Sequence, residues 1–77
     1  MKEFVAYLIK NLVDQPGVVD ISVHDDEQLT LIKIRVDLAD VSKVVGRKGK
    51  TIQALRTIAT NIGSRFGRRV KLEVIQP

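Results

Sequence analysis

Hydrophobic and polar positions recur along this chain with two periods, and the places where the period changes mark its elements. Over residues 3–13, Phe4, Leu8 and Leu12 stand at i, i+4 and i+8 with Val5, Ile9 and Val13 beside them, the stripe of an amphipathic helix. Gln15-Pro16-Gly17 stops it, because proline brings no amide to the hydrogen-bond ladder and glycine turns easily. Val19, Ile21 and Val23 then alternate with Asp20 and Ser22, which predicts a half-buried strand, and His24-Asp25-Asp26-Glu27-Gln28 reads as a polar turn. In the next strand Thr30, Ile32, Ile34, Val36 and Leu38 form one face, with Lys33, Arg35 and Asp37 on the other. Two strands joined by a short polar segment predict an antiparallel hairpin.

The helical period returns after Leu38. Asp40 opens a short helix, Val41–Val45, where a carboxylate would satisfy free amides and the positive helix end. The turn Gly46-Arg47-Lys48-Gly49 ends it. A longer helix follows, with Ile52, Leu55, Ala59, Ile62 and Phe66 on one core-facing stripe. Gly63 weakens its last turn and Gly67 is the expected stop. Val70, Leu72 and Val74 alternate with Lys71, Glu73 and Ile75 to give a last strand. The order is α-β-β-α-α-β, an α+β chain without repeats or linkers, read as a single domain over residues 1–77 with a modest core.

Composition narrows the function classes. The absence of cysteine excludes disulfides and thiolate metal sites and fits a reducing compartment. No apolar run approaches the roughly 20 residues of a membrane span, and Met1-Lys2-Glu3-Phe4 does not open a secretory signal. A cytoplasmic location is the expectation. Charge is the stronger clue. Residues 1–40 carry four basic and eight acidic side chains, a net of −4, whereas residues 41–77 carry nine basic and one acidic, a net of +8. No carboxylate lies between Val41 and Lys71. Solubility needs only scattered charge of both signs, so a one-sign block points to a polyanionic partner; the competing reading is a solvated basic face.

The basic block surrounds the glycine turn. Glycine at positions 46 and 49 lets a phosphate chain approach the main chain, whose amides at a helix start favour anions. Arg47 and Lys48 would sit over the phosphates, with Lys50 and Lys43 at the entrance. Val44 and Ile52 are candidates for an apolar groove floor, with core packing as the alternative. The turn's own alternative is a sharp helix–helix connection with no ligand. Gly49-Lys50-Thr51 matches the end of a phosphate-binding P-loop, but Val44 stands where that motif requires glycine and a helix precedes the turn, so a nucleotide site is rejected. Nothing suggests an enzyme: His24 lies beside two aspartates in a turn, and Ser42 and Ser64 have no base within a motif. No metal, cofactor or small-molecule substrate is implied. Three aromatic residues (Phe4, Tyr7 and Phe66) are too few for a stacking platform, so short-site, mainly electrostatic binding is expected.

The element order, together with Val44-Val45-Gly46-Arg47-Lys48-Gly49-Lys50-Thr51-Ile52 at the joint of the fourth and fifth elements, resembles a type II KH domain. Among such proteins it looks closest to the small stand-alone KhpA family of bacterial RNA-binding proteins, over Phe4 to Ile75. The resemblance implies a three-stranded mixed sheet with three helices on one face. It also implies a groove in which the turn clamps about four nucleotides of single-stranded RNA. The opposite wall would be Val70–Ile75 with Lys71, and the loop Gly63–Arg69 would add Arg65, Arg68 and Arg69, making both rims cationic. A role as an RNA chaperone or regulator affecting cell shape, division and cell-wall growth is implied as well, as are homodimers and pairing with a larger KhpB-like KH protein. Ile58, with Ala54 further round the helix, is the expected interface; that Ile58 merely widens the core stripe is the alternative. The competing function is a KH-fold adaptor that works by dimerising or by docking to a partner or the ribosome.

Overall fold

The computed structural model describes residues 2–75. Its elements are α1 (Lys2–Lys10), β1 (Asp20–Asp25), β2 (Leu29–Arg35), α2 (Val41–Val45), α3 (Lys50–Arg65) and β3 (Arg69–Ile75). The three strands lie in the order β1-β2-β3, with β1 antiparallel and β3 parallel to β2. The parallel pair is possible because α2 and α3 provide the long crossover that such a connection needs.

Register explains which side chains are buried. Val23, Ile32 and Leu72 lie side by side across the sheet, as do Ile21, Ile34 and Val74. These rows face the helices, where Val5 and Ile9 of α1, Val44 of α2 and Ile52, Leu55 and Ala59 of α3 close the core. Ile9, Ile32, Ile34, Val36 and Val44 are fully buried, each contributing about 1.5–3 kcal/mol of transfer free energy. On the opposite face run Ser22, Lys33 and Glu73, then His24, Leu31 and Lys71.

Several sequence expectations are corrected. The buried stripe of α1 is Val5 and Ile9, while Phe4 and Tyr7 are exposed, and the helix ends at Lys10, before the proline. Pro16–Val18 instead form a 3-10 turn. His24 belongs to β1 opposite Leu31, and the hairpin turns at residues 26–28, where Asp26 accepts from the amides of Gln28 and Leu29. Leu38 leaves the strand and is exposed. Phe66, expected on the core stripe, is 77% exposed because α3 ends one residue before it. The stop is the expected Gly67: with φ at 68° it lets the Arg68 amide reach back to the Gly63 carbonyl at 2.9 Å.

Gly63 acts differently from the expected weak point. It is buried in α3, and a Cβ there would overlap Val70 Cγ2 and lie 3.0 Å from the Arg68 carbonyl oxygen. Its bareness lets the start of β3 pass directly against the helix. Asp40 also departs from expectation. It precedes α2, but its carboxylate makes no cap there. It is buried and accepts from the amides of Asp14 and Gln15 at 3.2 and 3.0 Å, fastening the segment after α1 to the start of α2.

Candidate nucleic-acid interface

The turn between α2 and α3 is built on left-handed backbone. Gly46 has φ 78° and Gly49 φ 75°, and Lys48 between them is also left-handed at φ 55°. The two glycines are required for different reasons. A Cβ at Gly46 would fall on the Thr51 side chain and within 2.9 Å of its backbone nitrogen, so glycine there is demanded by the turn's own packing. A Cβ at Gly49 would meet nothing within 4 Å. The space beside Gly49 is therefore open to an incoming group, and only its φ disfavours other residues.

Gly49 is also the residue from which α3 starts, and no side chain caps that end. The first turn of α3 holds no acidic residue, and Lys50 opens it. A cation at the positive end of a helix dipole is the reverse of what helix stability favours. An anion seated on those amides reconciles the arrangement. Arg47, Lys48 and Lys50 are all exposed, and among the described residues none of them forms an ion pair.

The other expected contacts divide. Lys43 is engaged with Asp14 and Asp40, the latter at 3.2 Å. Its hydrogen bonds to Asp14 and then Asp40 raise its pKa above the ordinary lysine value against the opposing effect of burial. For Asp40, burial acts to raise the carboxyl, but the amides of Asp14 and Gln15 and the Lys43 ammonium outweigh it, and the group titrates below the usual carboxylate range. Arg68, expected on the groove rim, reaches back to the hairpin: its Nε donates to Thr30 Oγ1 at 2.9 Å, and one terminal nitrogen donates to the carbonyls of Asp26 at 2.7 Å and Leu29 at 3.2 Å. Both cations hold the fold together. Arg65 and Arg69 are exposed and unpaired among the described residues. Lys71 lies 3.5 Å from Glu73.

The far rim is not uniformly cationic, contrary to expectation. Arg69 and Lys71 share a cleft with Asp26 and Glu27 of the hairpin. Free positive charge is therefore concentrated at the turn. The floor is corrected too: Val44 and Ile52 belong to the core cluster at 0% and 6% exposure, which leaves no surface for a base. Val45, half-buried beside Gly46, keeps some apolar surface next to the turn.

One wall went unread in the sequence. From Gly49, helical spacing carries a single line of α3 through Gln53, Arg56 and Thr60. Arg56 and Thr60 face Val70, Lys71, Leu72 and Glu73 across a cleft of about 320 Å³. The Nε of Arg56 donates to the Leu72 carbonyl at 3.2 Å on the outer edge of β3. The 49-53-56-60 spacing was the available signal, obscured because it is polar and the apolar stripe of the same helix is easier to see.

On the other flank of α3, Ile58 is 41% exposed and lines a seam with Phe4, Leu8 and Ile62. Phe4, Ile62 and Phe66 continue it into an apolar hollow at the helix ends. Ala54 is exposed but does not line the seam.

The comparisons with known proteins agree with this architecture. The model of the KhpA/KhpB KH domain matches residues 2–74. A protein of Chlamydia pneumoniae named RNA-binding protein KhpA is 41% identical over 76 residues, covering 99% of this chain and 97% of the relative. Proteins of the same name from Aquifex aeolicus and Borreliella burgdorferi are 40% and 34% identical, over 99% and 95% of this chain and 96% and 89% of the relatives. No solved structure matches. With its α-β-β-α-α-β order, its mixed three-stranded sheet and the family model covering nearly its whole length, the chain belongs to the KhpA/KhpB KH-domain family.

Proposed function

We propose that this chain binds single-stranded RNA, clamping the phosphate backbone at Gly46–Lys50 and laying the bases along the cleft between α3 and β3. The observation that carries the reading is the uncapped start of α3, where Gly49 is open to approach and, among the described residues, Arg47, Lys48 and Lys50 have no acidic partner. The names of the relatives support RNA as the polyanion. Arg65 and Arg69 extend the attraction at longer range, whereas Lys43 and Arg68 contribute through the fold. Binding of this kind is electrostatic and indifferent to sequence at the turn itself. On family resemblance, the role is that of an RNA chaperone or regulator affecting cell division and envelope growth.

The test is a fluorescence-anisotropy titration of a pooled single-stranded RNA across salt concentrations. Contact with four or five phosphates gives a log–log salt slope of about −3. The variant Arg47→Asp/Lys48→Asp, folded by circular dichroism, should bind at least about 100-fold more weakly, since two attractive contacts become repulsive. Equal binding by both proteins contradicts the reading.

A second activity is favoured by the seam at Phe4, Ile58 and Ile62, whose exposed apolar side chains gain by being covered. Pairing there, with a second copy or with a larger KH-containing chain of the KhpB kind, leaves the RNA turn free on the opposite flank of α3. Ile58→Asp should yield a folded protein of lower sedimentation coefficient. An unchanged coefficient, for a native protein that does associate, rejects Ile58 as part of the interface.

A further inference from the structure

The sheet has a second face, turned away from the helices, that the RNA reading leaves unused. Lys33 and Arg35 of β2 and Lys71 of β3 lie on it, since residues two apart on a strand share a side. Residues 1–40 hold eight acidic and only four basic side chains, and two of those four are Lys33 and Arg35. The acid-rich half of the chain thus places half of its cations on this one surface. Arg35 and Lys71 are exposed and Lys33 is half-buried. Among the described residues neither Lys33 nor Arg35 forms an ion pair. The face also carries two carboxylates. Glu73 lies 3.5 Å from Lys71, and Asp20 stands opposite Arg35 in register without pairing with it. With Ser22, His24 and Ile75, Lys33, Arg35 and Asp20 line a hollow of about 250 Å³. Solubility alone is served by interspersed charges of both signs, and a line of unpaired cations exceeds that need.

We propose that this outer face is a second phosphate track, onto which an RNA strand longer than the cleft continues by passing over β3. The inference rests on the RNA-binding reading above. Lys71 joins the two surfaces: it lines the cleft with Arg56 and Thr60, and it also stands in the outer row with Leu31 and His24. From Lys71, Lys33 is one strand across and two residues along, about 8 Å by sheet spacing, and Arg35 is about 7 Å further in the same direction. These steps are close to the distance between successive phosphates of an extended strand. At the other end of β3, Asp26 and Glu27 of the hairpin face Arg69 and Lys71 across a cleft, so attraction favours the path toward Lys33 and Arg35. Ser22 and His24 add a hydroxyl and an imidazole beside that path, and both can donate to phosphate oxygens. Contacts of this kind lengthen the binding site and add affinity without adding base preference.

The experiment compares pooled single-stranded pentaribonucleotides and dodecaribonucleotides by anisotropy at near-physiological salt. The proteins are the native chain, Lys33→Glu/Arg35→Glu, the gentler Lys33→Gln/Arg35→Gln, Arg47→Asp/Lys48→Asp, and Lys2→Glu/Lys10→Glu as a control of matched net charge on α1, each checked for folding by circular dichroism. Lys33→Glu/Arg35→Glu should bind the dodecamer at least about tenfold more weakly than the native protein and the pentamer within about threefold, because charges beyond a Debye length of about 8 Å are screened. Lys33→Gln/Arg35→Gln should show the same length dependence at about half the logarithmic size. Two additional phosphate contacts should also steepen the native log–log salt slope by about 1.4 on going from pentamer to dodecamer. An equal loss at both lengths in the outer-face variants overturns the proposal, as does an equal loss on the dodecamer in Lys2→Glu/Lys10→Glu. If Arg47→Asp/Lys48→Asp binds both lengths like the native protein, the turn reading fails, while the length dependence still reports on the outer face. Failure of the native protein to bind either RNA overturns both.

Discussion

Helix α3 is bounded at each end by a turn rich in glycine and basic residues, and the two turns use Lys48 and Arg68 differently. At the N-terminal end, Gly46 is packed against Thr51, Gly49 faces open space, and Arg47, Lys48 and Lys50 are exposed and, among the described residues, form no ion pair. At the C-terminal end, Gly63 is packed against Val70 and Arg68 is bonded to the hairpin through Thr30, Asp26 and Leu29. Among the described residues one turn leaves Arg47, Lys48 and Lys50 unpaired, and the other commits Arg68 to tying strands together while Arg65 and Arg69 stay exposed. A count of arginines and glycines cannot tell them apart. What separates Arg68 from Arg47, Lys48 and Lys50 is the acceptors within reach: the hairpin carbonyls meet Arg68, while no described residue stands comparably over the first turn.

The contrast can be broken most sharply at the packed glycines. Gly46→Ala combines a left-handed penalty with a clash against Thr51 and should cost about 2–4 kcal/mol in urea denaturation. Arg68→Met should cost about 1–3 kcal/mol by leaving hairpin acceptors unmet, yet keep RNA affinity within about twofold at near-physiological salt. Gly49→Ala adds a methyl into open space, so its stability cost is the backbone penalty alone, about 1–2 kcal/mol. The same methyl would stand where the phosphate is proposed to rest, so it should weaken RNA binding about tenfold. Equal stability losses at Gly46 and Gly49 would erase the distinction between them. Lys48→Asn should be the mildest, stabilising by up to about 1 kcal/mol, because asparagine tolerates left-handed backbone better than lysine, while weakening RNA binding.

The ion pair that withdraws Lys43 from the interface also predicts a pH response. The Asp40 carboxyl titrates lower in the folded chain than in the unfolded one, so its stabilisation is complete above about pH 4 and is lost as pH falls through the folded value. Lys43 titrates higher when folded, so its share is complete below about pH 10 and is lost as pH rises through its folded value. Asp40→Asn should melt at lower temperature than the native protein at pH 7, and the difference should shrink on acidification toward pH 2. A constant difference would show that the carboxylate's charge contributes nothing.

Elements with a local signal were legible in the sequence. The period-two alternation of Thr30, Ile32 and Ile34 marked the central strand, which ends at Arg35, short of the expected Leu38, and the span of α2 was read as Val41–Val45, as found. Choices that depend on distant partners were not legible. In α1, Phe4-Leu8 and Val5-Ile9 satisfy the helical period equally well, and only the position of the sheet decides that Val5 and Ile9 are buried. Asp40 looked like a helix cap because such residues usually are, but the amides of Asp14 and Gln15, far away in sequence, reach it first. Lys43 and Arg68 counted as free charge until the fold brought them their acceptors. Arg56 escaped notice because its partner is a backbone carbonyl, which no residue type announces.

In the proposed mode of binding, nucleic acid enters at the open turn and runs along the α3–β3 cleft. The most direct measurement is backbone amide chemical-shift mapping of the native protein titrated with an oligo(C) octaribonucleotide. The largest perturbations should fall on Gly46–Lys50, continue through Gln53, Arg56 and Thr60, and include Lys71–Glu73. Perturbations centred on Phe4, Ile58 and Phe66, with the glycine turn unmoved, would contradict it.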